Sequence, residues 1–160
     1  MPDDSIPDRT LSEIVGQREL ATVTPRMTVR QACGVLANLN VAAAAVIDEK
    51  KLVGIFTERD VVRKCICQSR GSEETCVSDI MTPNPTVVGV NGNLTQALHI
   101  MLQGHFRHLP IVDGDEVLGI LSMREIPLDN RIMHDRYFEV VGNPSSGAND
   151  AACRRTLNPA

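Results

Sequence analysis

The sequence predicts a mixed α/β (α+β) fold of two β-α-β-β-α units packed through their sheets with pseudo-twofold symmetry. Three observations predict it. The stretches GIFTERD (54–60) and GILSMRE (119–125) share a pattern of Gly, two large apolar residues, a hydroxyl residue, two more positions and a carboxylate. The residues before them match at the same offset of 65, from Gly54 to Gly119. Within each copy, short β-rich apolar runs alternate with segments of helical period.

The offset organises the chain. LPIVDGDEVLGIL (109–121) lies over AAVIDEKKLVGIF (44–56), NLTQAL (93–98) over TVRQAC (28–33), and Val88 over Val23. VSDIM (77–81) resembles LSEIV (11–15) at an offset of 66, so one residue is gained between the blocks. The first unit is placed at residues 10–72 and the second at 73–141. Residues 1–9, acidic and with two prolines, read as a flexible N-terminus. Residues 142–160, rich in Gly, Asn, Ser and Ala, read as a disordered tail.

Each element has a local cause. Thr10 with Glu13 has the spacing of a capping box and opens a short leading helix. Apolar strands follow at TVT (22–24) and TVV (86–88). Thr28 with Gln31, and Asn93 with Gln96, open the next helices. Their apolar faces carry Ala32, Cys33, Leu36 and Leu39 in the first unit, and Ala97, Leu98, Met101 and Leu102 in the second. AAAVI with LVGIF, and LPIV with VLGIL, form strand pairs around the polar turns DEKK and DGDE. GIFT and GILS run directly into a last helix, where Val61, Val62, Cys65 and Ile66 supply an apolar stripe. After the second unit, Leu128, Ile132 and Tyr137 continue at near-helical spacing. One unit is small for an independent core, so two must share one.

Composition narrows the function. Among 160 residues, hydrophobic types make up 42%, with no Trp, one Tyr and three Phe, so the core is aliphatic and no base-stacking platform is present. The net charge of −4 leaves no basic footprint for nucleic acid. No apolar run reaches the roughly 18–20 residues of a membrane span, and the acidic start MPDDSIPDRT lacks the pattern of a signal peptide. A cytoplasmic protein is expected. The cysteines are Cys33, Cys65, Cys67, Cys76 and Cys153. This odd set reads as reduced thiols, with Cys65 and Cys67 diverging on a helix as one buried and one exposed residue. Neither they nor the scattered histidines His99, His105, His108 and His134 have metal-ligand spacing.

The hydroxyl-x-x-carboxylate junctions admit two readings. Thr57 with Asp60 and Ser122 with Glu125 can each cap a helix, worth about 1 kcal/mol. They can also hold a ligand beside a helix start that favours anions. A capping box prefers Glu or Gln, so Asp60 favours the ligand and Glu125 the cap. Pro127 adds to the difference, because it removes an N–H and pushes Ile126 out of helical geometry. The two junctions are therefore expected to be unequal.

The doubled β-α-β-β-α unit, GIFTERD and GILSMRE, GHFRHLPIVD (104–113) and VSDIMTPNP (77–85) together resemble the cystathionine-β-synthase (CBS) domain in its tandem, stand-alone form, the Bateman module. The resemblance covers nearly the whole chain except its ends. It implies a regulatory, non-enzymatic module that binds an adenosine-containing ligand between the repeats and forms a homodimer. AMP, ADP, ATP or NADH are the expected nucleotides. The family's ribose motif maps onto Thr57 and Asp60, and onto Ser122 and Glu125, where the usual Asp is replaced. Basic residues that meet phosphate in the family map onto Arg107 and His108; the first unit has Ala42 and Ala43 there. Val23, Ala44, Ile55, Val88, Leu109 and Ile120 are candidates to line the adenine and are equally explained as core.

Two other readings remain. A structural dimerisation module with degenerate clefts would retain the fold and ignore nucleotides. An enzyme would need a nucleophile, for which Cys67 lacks an identifiable base. No phosphate-binding glycine loop or Ser/His/Asp arrangement is present. No nucleic-acid or membrane partner is expected; the regulated protein is not identified by sequence.

Overall fold

The computed structural model describes residues 9–16 and 19–127. The expected last helix after residue 127, the C-terminal tail, residues 1–8 of the N-terminal assignment and Cys153 lie outside these residues. Two sheets are present. Strands β1 (Thr22–Val23), β2 (Ala43–Asp48), β3 (Lys51–Thr57) and β4 (Thr82–Pro83) form the first, in that order. Strands β5 (Val88–Gly89), β6 (His108–Asp113) and β7 (Glu116–Ser122) form the second. In each sheet the first pair is parallel and the hairpin antiparallel. Strand β5 begins two residues later than the sequence suggests.

The hairpins repeat one another in detail. Register slips between Val46 and Ile47 in the first and between Ile111 and Val112 in the second, the same position at the offset of 65. Each slip is a bulge that leaves one residue of the partner strand unpaired and adds twist. The first turn holds Glu49 (φ 47°) and Lys50 (φ 66°), both in the left-handed region that a tight hairpin demands. In the second, Gly114 (φ 60°) meets that demand without a Cβ.

Helix α2 (Val29–Leu39) starts on a complete capping box: Gln31 N–H donates to Thr28 Oγ1 at 3.2 Å, and Thr28 N–H to Gln31 Oε1 at 3.0 Å. Helix α5 (Leu94–Gly104) is capped by Asn93, whose Oδ1 accepts from Gln96 N–H at 2.8 Å. Ala32 and Leu36 are buried, as are Ala97, Leu98 and Met101. Leu102 is not; it is 42% exposed and leaves the expected face. The box expected at Thr10 and Glu13 does not form either. Thr10 occupies the N-cap position of α1 (Leu11–Val15) with no side-chain bond to the backbone, and its hydroxyl lies 2.9 Å from that of Ser12.

The leading helices are exchanged between the units. Leu11 of α1 is fully buried in the core built by Val88, Leu94, Ala97, Leu98, Met101, Leu109, Ile111 and Leu121 of the second unit. Reciprocally, Val77 and Ile80 of α4 (Val77–Ile80) are fully buried with Val23, Val29, Ala32, Leu36, Val46 and Phe56 of the first. Backbone bonds fix both exchanges in the same way. Leu11 N–H donates to Gly92 O at 2.9 Å and Val77 N–H to Met27 O at 2.8 Å. Isolated bridges pair Thr10 with Asn93 and Thr28 with Cys76. Each core is thus completed by the other unit's first helix. Strand β4 extends the exchange, since it follows α4 and pairs with β3 through Gly54 and Ile55. A Cβ on Gly54 would lie 2.6 Å from Met81 Sδ and 3.0 Å from Thr82 O, so this close approach requires glycine.

After β3, the one-turn helix α3 (Glu58–Asp60) runs into a π-helical segment, Val61–Ile66. Cys67 N–H donates to Val62 O at 2.9 Å, an i→i−5 bond. This wider winding breaks the expected apolar stripe. Cys65 is buried, but Val62 and Ile66 are 50% and 65% exposed. Cys67 is exposed, so the cysteine pair diverges as expected. The second junction forms a 3-10 turn, Met123–Glu125, that stops at Ile126 (φ −77°, ψ 119°), in the extended geometry imposed by Pro127.

Candidate functional site

The strand-to-helix junctions and the starts of β2 and β6 meet along the contact between units and bound two clefts. One, of about 750 Å³, is lined by Thr57, Asp60, Arg59, Arg63 and Lys64 of the first unit and by Thr82, Thr86, His105, Phe106, Arg107 and His108. The other, of about 610 Å³, is lined by Ser122, Arg124, Glu125 and Ile120 of the second unit and by Leu36, Asn40, Val41, Ala42 and Ala43 of the first. Each cleft takes its hydroxyl-x-x-acid from one unit and strand-start residues from both. Arg107 and His108 therefore line the Asp60 cleft across from the first unit's junction, and of the two alanines Ala43 lines the Glu125 cleft alone. Glu58, Ala42, Arg107 and His108 line both clefts and form their common wall.

Asp60 is 7% exposed and all its oxygens are engaged. Oδ2 accepts from Thr57 Oγ1 at 2.8 Å and from Thr57 N–H at 3.1 Å, while Asp60 N–H donates back to Thr57 Oγ1 at 3.2 Å. The capping box is complete, so the preference for Glu or Gln does not separate the two junctions. Oδ1 pairs with Lys64 Nζ at 2.9 Å and accepts a long bond of 3.4 Å from Thr82 Oγ1. The second junction also forms a box, with Ser122 N–H donating to Glu125 Oε2 at 2.7 Å. Capping is a fact at both junctions, and it leaves the ligand reading as a second role.

Charge separates the clefts. The Asp60 cleft carries four cationic side chains, Arg59, Arg63, Lys64 and Arg107, against Glu58 and Asp60. The Glu125 cleft carries Arg107 and Arg124 against Glu19, Glu58 and Glu125. The first favours an anion and the second does not. Burial lowers the pKa of His108; Glu125 and Glu58 act the other way, and Arg107 adds to the lowering. The lowering favours the neutral imidazole, which offers one N–H to a ligand.

Of the six apolar positions proposed for adenine, Ile55 lines the Asp60 cleft and Ile120 the Glu125 cleft. Val23, Ala44, Val88 and Leu109 are buried in the cores, at 0–2% exposure, and line neither cleft. Their side chains are committed to packing. Sequence reasoning passed over Lys64, Arg63, Thr82 and Phe106. Lys64 at four residues after Asp60 carried the readable signal of an i,i+4 pair. Thr82 carried none, because its approach depends on the exchanged α4.

The sequence profile of the CBS domain matches residues 11–66 and again 77–126. The chain belongs to the CBS domain family, as a pair of repeats. It is 34% identical over 128 residues to the Arabidopsis thaliana CBS domain-containing protein CBSCBSPB5, covering 73% of this chain and 23% of that protein. It is 31% identical over 111 residues to CBS domain-containing protein YhcV of Bacillus subtilis, covering 69% of this chain and 79% of that one. The chain thus spans about a quarter of the length of the plant relatives it matches. Among solved structures, the CBS domain protein PAE2072 of Pyrobaculum aerophilum complexed with AMP superposes with a TM-score of 0.70 at 22% identity, covering 80% of this chain and 99% of that one. That likeness supports the fold.

Proposed function

We propose that this CBS pair is a regulatory module that binds an adenine nucleotide, AMP, ADP, ATP or NADH, in the Asp60 cleft. One observation carries the reading: Thr57 and Asp60 of one repeat face Arg107 and His108 of the other across a cleft with a cationic excess. Ribose hydroxyls replace the long Thr82 bond to Asp60 Oδ1, and the phosphates meet Arg107, His108, Arg63 and Lys64. Ile55 and Phe106 lie against the base. The AMP complex of PAE2072 supports a nucleotide as the ligand class. The module has no catalytic step and works in the cytoplasm as a homodimer. It signals to a partner protein by favouring one arrangement of the repeats, which requires unequal ligand affinity for the two arrangements.

Calorimetric titration with the four nucleotides tests this reading, with Arg107→Ala as the informative variant. Among the described residues no ion pair engages the exposed Arg107, so its removal leaves the fold intact. The expected result is binding by the wild type and at least tenfold weaker binding by R107A at unchanged melting temperature. Folded protein that binds none of the four nucleotides overturns it. Asp60→Ala is the poorer probe, because it also removes the cap.

The saturated carboxylate of Asp60 and the apolar Val62 and Ile66 on the surface favour a second reading, a structural dimerisation module. It requires a dimer that resists dilution and is indifferent to nucleotides.

A further inference from the structure

The common wall has a regulatory consequence. The clefts are equivalent by repeat symmetry, yet only one basic strand start serves them both. Arg107 and His108 project from the start of β6, and the equivalent residues at the start of β2 are Ala42 and Ala43. All but Ala43 line both clefts. A phosphate chain in either cleft therefore draws on the same guanidinium and the same imidazole. Without Arg107, the Glu125 cleft retains Arg124 alone against three carboxylates.

We infer that Arg107 and His108 make the two clefts mutually exclusive for polyanionic ligands, so that the chain holds one phosphate chain at a time, in the Asp60 cleft. This rests on the reading of that cleft as an anion site. It goes beyond it by assigning the occupancy rule and its cause, the substitution of alanine at positions 42 and 43. The Glu125 cleft keeps its hydroxyl-x-x-acid junction but excludes phosphate whenever its neighbour is filled. Relief of the rule requires a second cation at the start of β2. Ala42 is only half-buried and tolerates a longer side chain there.

The test is the binding stoichiometry of the full chain, measured calorimetrically with ATP and separately with inorganic tripolyphosphate. One equivalent of each per chain is expected for the wild type. Ala42→Arg is expected to admit a second equivalent within tenfold of the first affinity, and Arg107→Ala to abolish the wild-type equivalent. Two equivalents of similar affinity on the wild type overturn the inference, as does folded A42R that still stops at one. Should A42R fail to fold, Ala42→Lys takes its place with the same expected second equivalent. Tripolyphosphate bound at one equivalent without ATP binding removes the nucleotide reading and leaves the exclusion standing. Binding of neither removes both.

Discussion

Lys64 places its ammonium 2.9 Å from Asp60 Oδ1 and, at the same time, donates to the Ile80 carbonyl at 3.0 Å. Asp60 belongs to the first junction and Ile80 ends the helix lent by the second repeat. One side chain thus joins the candidate ribose acid to the exchanged helix α4. Under the proposed reading, a ligand that reorients Asp60 would alter the hold on α4 and so reach the packing between repeats.

Lys64→Met is expected to lower stability by roughly 1 kcal/mol, since the partly exposed ammonium is one of several partners of a nearly buried carboxylate. It is also expected to weaken ATP binding about tenfold by removing a cation from the cleft. Urea unfolding and calorimetry measure the two losses. A stability loss with unchanged affinity would place Lys64 in the scaffold alone.

His108 predicts a pH dependence of stability. Its pKa in the folded chain is held below the unfolded value of about 6.5 by burial. The folded state therefore binds fewer protons than the unfolded state as pH falls through 6.5. Stability contributed by neutral His108 is fully present above that pH and declines below it. Melting temperature is expected to fall between pH 7 and pH 5.5, with a shallower fall in His108→Asn. Equal slopes would remove His108 as a source.

Gly54 and Gly119 occupy the same place in the repeat but not the same environment. A Cβ on Gly54 collides with Met81 and approaches the Thr82 carbonyl, whereas a Cβ on Gly119 meets only Val15, at 3.6 Å. Gly54→Ala is expected to cost about 1–3 kcal/mol by overpacking, and Gly119→Ala to change stability by less than about 0.5 kcal/mol. Chemical denaturation of both variants compares them directly.

Thiol chemistry distinguishes the cysteines. Burial raises the Cys33 pKa, with Cys65 and Glu58 adding to the rise, and Cys65 is buried with its Sγ donating to Arg70 O at 3.3 Å. Cys67 is exposed and lines neither cleft. Iodoacetamide at pH 7.5 is expected to modify Cys67 well before Cys33 or Cys65 in a Cys153→Ser background, leaving nucleotide binding intact. Mass spectrometry gives the order of labelling, and loss of binding on labelling Cys67 alone would revive a role for that thiol.

Much of the architecture was legible because the repeat offset multiplies weak local signals. Thr28 with Gln31, the two hairpin turns and the stop at Ile126 all follow from nearest-neighbour chemistry. The exchange of α1 and α4 was not legible. Leu11 and Val77 are apolar residues that suit either core, and only three-dimensional closure decides which one each enters. Val62 and Ile66 were misplaced for a related reason, since the stripe assumed α-helical winding where the chain is π-helical. At the site, pairing Thr57 with Asp60 was readable from their spacing. That their cleft also receives Arg107 and His108 of the other repeat, which wall the Glu125 cleft as well, depends on the crossing of the two repeats and has no linear signature.

The exchange of leading helices also governs what happens when the chain is severed. A cut between Ser69 and Glu73 leaves two fragments, each carrying a helix its own core does not use and lacking the one it needs. Neither fragment is a miniature of the whole. Each is the other's missing half, so the severed pieces would recover a native core only in each other's company, as complementing fragments do.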